Sequence, residues 1–317
     1  MAKTLPPSGL TTWRGPHTGR CQDRRGLPFG SSSVQHGTAV FEGIRAYASC
    51  TGETALFRAE DHLTRLLESA RILGIRHDLD HALLLDEVVR AASEYGEPNC
   101  YVRPGLFATD PYLSIDLGRL SFTLGIEVWP MPAHTPETAP PGARLTVSPW
   151  HRPSPLSFPP RAKAVGTYVT SALAKTAAVD AGFDDALQLD PHSGRIAEAT
   201  TSNVFIVRDW TLFTPWLTDS LLAGITRDTV ITLAHELGLA IHEGPVDMED
   251  LESAEEMFLT GTASELQPVA SIDDRALPKE HPVFDMISAA FQAAVTGTRF
   301  TRQRWLTPVP TSTQVSY

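Results

Sequence analysis

The sequence predicts an α+β protein of two domains, a small N-terminal α+β domain and a larger, β-rich C-terminal one. Three observations predict it. Two stretches with apolar residues at helical spacing stand among short β-like runs before residue 130. The segment Met131–Gly142 carries Pro132, Pro136, Pro140 and Pro141, which withhold backbone donors and favour extended chain, as a linker does. Beyond it, strand patterns outnumber helical ones. The expected organisation is therefore a domain over 1–130, a linker over 131–142 and a second domain over 143–317.

Residues 1–33 are rich in Pro, Gly and Ser and carry Arg14, Arg20, Arg24 and Arg25 against one acid, Asp23, which reads as irregular chain. Leu63, Leu66, Leu67, Ala70 and Leu73 recur at helical spacing and predict a helix over 60–73; a second is predicted over 81–95. Strands are predicted over 54–57, 100–107 and 120–129. After the prolines the pattern predicts a strand over 144–150, a helix over 169–181, and strands over 185–190, 203–208 and 212–214. Val230, Leu233, Ala234 and Leu237 mark a helix stopped by Gly238. Strands over 240–243, 256–260 and 269–272 follow, then a helix bearing Val283, Met286, Ile287, Ala290 and Phe291 on one side.

At 317 residues, with 42% hydrophobic and 20% charged residues, the chain has the balance of a globular protein with a real core. Its formal net charge of -11 repels a phosphate backbone, which argues against nucleic acid as a partner. Three cysteines, none two residues from another, fit a reducing cytoplasm, and no apolar run approaches the ~20 residues that span a bilayer. A metal site is not expected: His235 and His242 lack a cysteine or carboxylate to complete a ligand set. The phosphate-loop, dinucleotide, zinc-protease and serine-hydrolase signatures are absent as well.

What remains is a set of individually modest candidates. Lys163 follows Pro159 and Pro160 and precedes Ala164-Val165-Gly166 in a stretch with few charges. A lysine in dry surroundings loses the ammonium form and can condense with an aldehyde; a solvated loop lysine is the plain alternative. Gly224-Ile225-Thr226 begins a helix whose N–H groups, hydroxyl and dipole can hold a phosphate. Gly261-Thr262-Ala263 offers a second cup of amides and hydroxyl after a strand, or an ordinary turn. Glu198 lies among small residues just before an apolar strand, where a carboxylate can be half-buried; an ordinary turn acid is the plain alternative unless a basic group lies opposite. Arg65 is two residues from Leu63, about 200° round the helix at ~100° per residue, so periodicity places it toward solvent.

Taken in order, the blocks His36-Gly37-Thr38-Ala39-Val40-Phe41-Glu42-Gly43-Ile44-Arg45-Ala46-Tyr47, Asp61-His62-Leu63-Thr64-Arg65-Leu66, Tyr101-Val102-Arg103-Pro104, Lys163 to Tyr168, Glu198 with Asn203, Gly224 to Asp228 and Thr260 to Glu265 resemble the class IV pyridoxal-phosphate aminotransferases, most closely the branched-chain amino acid aminotransferases. The resemblance covers most of residues 34–272. It implies the two-domain fold of the fold-type IV enzymes, with a pseudo-barrel in the second domain, and pyridoxal 5'-phosphate as cofactor. It implies a Schiff base on Lys163, which also shuttles the proton between the substrate α-carbon and the cofactor, and Glu198 pairing with the pyridine nitrogen. Tyr168 would meet the ring oxygen; Arg65, Ile225, Thr226 and Thr262 would hold the phosphate, so for Arg65 the resemblance points the other way from periodicity. Tyr101 and the Thr262-Ala263 amides would take the substrate carboxylate, Arg103 a side-chain carboxylate, and Phe41 would wall an apolar pocket. The partners implied are an amino acid, a 2-oxo acid such as 2-oxoglutarate, and a second copy of the chain in a cytoplasmic homodimer.

The departures touch substrate choice. His36 stands where the family usually has tyrosine, and Val165-Gly166-Thr167-Tyr168 replaces Gly-Gly-Asn-Tyr. Met131 and His134 fall where pocket aromatics are expected, and the family's N-terminal strand is not recognisable in residues 1–33. The reading is amino transfer from an apolar L-amino acid. The alternatives are a D-amino acid or amine transaminase, an aminodeoxychorismate-lyase-like enzyme, and a binding protein that keeps the fold without activity.

Overall fold

The computed structural model describes residues 11–15, 19–21, 27–132, 142–217, 220–300 and 304–310. Within these the chain forms two compact units, one of Met1–Ala133, Ala162–Gly166 and Ala294–Tyr317, the other of His134–Arg161 and Thr167–Ala293. The short segment carrying Lys163 thus belongs with the first unit, although it lies far along the chain. Most of the predicted linker, residues 133–141, lies outside the described residues.

In the first unit eight strands form one antiparallel sheet. Its spatial order is Leu306–Val309, Thr54–Phe57, Ile44–Ala48, Cys100–Ala108, Phe122–Pro130, Thr11–Gly15 and Gly19–Cys21, with Ala39–Phe41 also paired to Cys100–Ala108. Leu106, Leu124, Ile126 and Val128 are buried, as are Leu63, Leu66, Leu84 and Val88 of the helices Ala59–Leu73 and His81–Tyr95. Local chemistry sets the helix ends. Asp80 accepts the Leu83 N–H at 2.7 Å as an N-cap, and Gly74 and Gly96 close the two C-termini in the left-handed conformation.

The second unit is built on a nine-stranded mixed sheet around a core of Leu145, Leu187, Ile196, Val204, Ile206, Met257 and Leu259. Strand Asn203–Arg208 pairs antiparallel with both Thr211–Pro215 and Glu256–Gly261, and strand Ala143–Val147 pairs parallel with Asp185–Leu189. Helices Tyr168–Asp180, Ile225–Glu236 and Pro282–Val295 complete the regular structure that bears on the site.

Every predicted helix and strand has a counterpart, and the differences have physical causes. The strand expected to start at 269 runs from Glu265, straight through Pro268, which has no N–H to give and so reads as a break. Residues 1–33, expected to be irregular, contain strand Thr11–Gly15, which pairs with Phe122–Pro130. Tertiary pairing, not local alternation, makes that strand. Ala39–Phe41, Ile44–Ala48, Ile196–Ala199 and Leu306–Val309 are too short to show a period of two and were not predicted.

Burial also separates two of the thiols. Cys100 is buried on its strand and its thiol is pushed up to about 12 by burial, against the opposing charge of Arg45, whereas Cys50 is exposed. Because the thiolate is the reactive form, alkylation of the native protein followed by peptide mapping is expected to label Cys50 while Cys100 stays unlabelled. Equal labelling of both would contradict this packing.

Candidate active site

The candidate residues fall into two sets, one in each unit. In the first, Lys163 is held through its own peptide. Its carbonyl accepts the Phe41 N–H at 3.1 Å, its N–H donates to Ser69 Oγ at 3.0 Å, and the next residue, Ala164, forms an antiparallel bridge with Val40. Ser69 Oγ in turn donates to the carbonyl of Arg65 at 2.7 Å. One helix, Ala59–Leu73, therefore carries Arg65 and pins the lysine. The Lys163 amine lies 5.0 Å from the centre of the Phe41 ring, and the Arg103 guanidinium carbon lies 4.0 Å from the same centre, both within cation–π range.

Arg65 is not turned to solvent as its helical position suggested; its side chain is 12% exposed. Its Nε donates to Glu42 Oε1 at 2.6 Å and its Nη2 to Glu42 Oε2 at 3.0 Å. The cause is Glu42, fully buried between strands Ala39–Phe41 and Ile44–Ala48, which needs a cation. His62 Nδ1 lies 2.7 Å from Glu42 Oε2, and since an ionised carboxylate only accepts, Nδ1 carries the proton. Burial alone would push the Glu42 carboxyl up, but Arg65 and His62 together hold it well below the usual range. Burial keeps His62 in turn below its ordinary value, and hence neutral, so the charge balance is between Glu42 and Arg65.

Tyr101 is nearly buried and stacks on Trp129, centroids 6.3 Å apart. Its hydroxyl occupies space that only glycine leaves: a Cβ on Gly43 would come within 1.8 Å of it.

In the second unit the buried carboxylate of Glu198 is gripped from three directions. Arg152 Nε lies 3.0 Å from Oε1; Asn203 Nδ2 and the Leu222 N–H donate to Oε2 at 3.0 and 3.2 Å. Arg152 is itself buried and its Nε also donates to the Ser220 carbonyl at 3.0 Å. Asn203 Oδ1 sits so close to Gly224 that a Cβ there would be 1.8 Å away. Gly224 then opens helix Ile225–Glu236 with no side-chain cap, and Ile225 and Thr226 are buried in its first turn. Thr262 is half-buried and Ala263 exposed in the turn after Gly261, and Tyr168 begins its own helix, half-buried.

A sequence model of the family described as Amino-transferase class IV matches residues 39–272. The chain belongs to the class IV aminotransferases. The branched-chain-amino-acid aminotransferase of Escherichia coli (strain K12) is 36% identical over 287 residues, 88% of this chain and 91% of that protein. The crystal structure of the branched-chain aminotransferase from Thermoproteus uzoniensis with norvaline superposes with a TM-score of 0.88 at 33% identity, covering 96% of this chain and 100% of that one. The T.th. branched-chain amino acid aminotransferase complexed with N-(5'-phosphopyridoxyl)-L-glutamate gives a TM-score of 0.89 at 33% identity, covering 97% and 100%. The fold is the fold-type IV arrangement of these enzymes.

The residues of this class IV aminotransferase fit a phosphorylated pyridine aldehyde by their chemistry. A cation, two threonine hydroxyls and an uncapped helix N-terminus suit a phosphate; a buried carboxylate suits a ring nitrogen, a phenol a ring oxygen and an amine the aldehyde. The buried Thr260 hydroxyl, on the strand that leads into Gly261, has no hydrogen-bond partner among the described residues. Among the described residues no cluster of three or more His, Cys, Asp or Glu could hold a metal, and no helix is long and apolar enough to cross a membrane.

Sequence reasoning gave no role to Glu42, His62, Ser69 or Arg152. His62, Arg65 and Ser69 recur at i, i+3 and i+7, a polar stripe beside the apolar one, and that spacing was the available signal. Arg152 carried no such signal, because its contact with Glu198 spans distant parts of the chain. Substituting Glu42→Gln removes the charge that pairs with Arg65 and is expected to cost about 3 kcal/mol of stability. A carboxyl held below its unfolded value adds stability that is full above the ordinary carboxylate range and fades as pH falls through it. Urea unfolding across that range should therefore show the wild-type advantage shrinking with acid. An advantage independent of pH would contradict the buried ion pair.

Proposed function

We propose that this class IV aminotransferase moves an amino group reversibly from an apolar L-amino acid, of the branched-chain type, to a 2-oxo acid such as 2-oxoglutarate, using pyridoxal 5'-phosphate. The observation that carries the reading is a lysine fixed through its peptide, together with a buried Glu198 clamped by Arg152 and Asn203. The ligands of the two solved relatives, norvaline and a phosphopyridoxyl-glutamate, agree in chemical class.

When bound, the cofactor supplies an aldehyde that condenses with amines and a pyridine ring that accepts the electron pair left as the α-proton departs. The Lys163 amine would anchor it and, when free, would carry the proton between the substrate α-carbon and the cofactor. Glu198 holds a proton on the ring nitrogen, and Arg152 with Asn203 keep that carboxylate aimed. Tyr168 donates to the ring oxygen. Arg65, the amides of Ile225 and Thr226, and the Thr262 hydroxyl bind the phosphate, with Glu42 orienting the guanidinium. Tyr101 and the amides of Thr262 and Ala263 bind the substrate carboxylate; Arg103 receives a side-chain carboxylate, and Phe41 walls the apolar side chain. A cytoplasmic location and assembly as a homodimer belong to the same proposal.

A panel of amino donors tests the substrate class. With 2-oxoglutarate as acceptor, leucine, isoleucine and valine are each expected to yield glutamate; reaction with D-amino acids or simple amines alone would sink the assignment. Glu198→Ala is expected to lower turnover by orders of magnitude in a protein that still folds, because an unprotonated ring is a poor electron sink. Turnover matching wild type would remove that role.

A further inference from the structure

The face of the first sheet that presents Tyr101 and Arg103 also presents an acid for which the roles above have no use. The antiparallel register sets Tyr101 opposite Trp129 and Arg103 opposite Glu127. Directly opposed residues project to the same face, with Cβ atoms about 4.5–5.5 Å apart. Burial along Phe122–Pro130 agrees: Leu124, Ile126 and Val128 point into the core, while Glu127 is exposed and Trp129 half-buried. Phe41 lies opposite Gly105, two residues from Arg103 and so on that same face.

This face therefore gathers the Phe41 ring, Arg103 against one side of it, the Lys163 amine within 5.0 Å of its centre, and one carboxylate beside the guanidinium. The two charges feel each other: burial pushes the Glu127 carboxyl up and Arg103 opposes that rise. We propose that Glu127 is a specificity-determining residue, setting a negative charge next to Arg103 so that a substrate bearing a second carboxylate is disfavoured relative to one with an uncharged side chain. A dicarboxylic 2-oxo acid must share the guanidinium with Glu127 and meet its repulsion, since like charges placed side by side on a sheet are unfavourable. An aliphatic side chain packed on the Phe41 ring meets no such term. The inference rests on the transaminase reading and narrows its substrate class.

The test compares the holoenzyme with its Glu127→Gln and Glu127→Ala variants. The quantity read is kcat/KM for 2-oxoglutarate divided by kcat/KM for the 2-oxo acid of leucine. Both variants are expected to raise this ratio by about fivefold or more, and added salt should narrow the difference because the charges are partly exposed. Competitive inhibition supplies a second readout: glutarate should tighten in both variants relative to 4-methylvaleric acid. Ratios within about twofold of wild type in both variants, with glutarate unchanged, would overturn the role of Glu127 and leave the transaminase intact. A wild-type protein that transfers no amino group to either acid would remove the transaminase reading, and this inference with it.

Discussion

The hydrogen bonds that hold the Lys163 peptide, from the Phe41 N–H to its carbonyl and from its own N–H to Ser69 Oγ, are the constraint on which the rest depends. A lysine side chain is long and has several rotatable bonds, so its amine is well placed only when the backbone beneath it cannot move. Here the backbone is tied to a strand on one side and a helix on the other. The same helix carries Arg65, whose carbonyl receives the Ser69 hydroxyl. The residue proposed to attack and one proposed to hold the phosphate are thus referred to one rigid element, as precise chemistry requires.

Two buried carboxylates show how each unit sustains charge away from water. Glu42 is neutralised by Arg65 and receives a hydrogen bond from His62; Glu198 is matched by Arg152 and receives Asn203 and a backbone N–H. Buried ion pairs contribute little net stability, because desolvation offsets most of the attraction. Their worth here is geometric. Each fixes a group that the proposed chemistry needs in one orientation, at the cost of strong sensitivity to losing a partner. Gly43 and Gly224 serve the same end, since a Cβ at either would strike Tyr101 or Asn203.

Much of this was legible in the sequence. The long helices Ala59–Leu73 and His81–Tyr95 announce themselves through apolar periodicity, and the longest strands, such as Cys100–Ala108 and Phe122–Pro130, through β-branched and aromatic runs. Short strands such as Ala39–Phe41, and the glycine-flanked Thr11–Gly15, exist because a neighbour pairs with them, which no local pattern reveals. For the site, Lys163, Glu198 and the Gly224 turn stood out by composition, but Arg65 did not. A helical wheel measures hydrophobicity and places an arginine outside; a buried acid between two strands, off the helix altogether, brings it in. Arg152 was invisible for the same reason, as it acts on a residue far away in sequence, whereas Ser69 showed only as part of the polar stripe of its helix. Glu127 becomes informative only once the register sets it against Arg103.

The central claim is that the amine of Lys163 forms a covalent bond with the cofactor aldehyde. Reducing the purified holoenzyme with borohydride, digesting it and mapping the phosphopyridoxyl mass by peptide sequencing tests this most directly. The account predicts the added mass on the peptide containing Ala162-Lys163-Ala164, and on that lysine alone. A tag on Lys175, Lys279 or any other lysine, or no tag on a protein shown to have bound the cofactor, would contradict it.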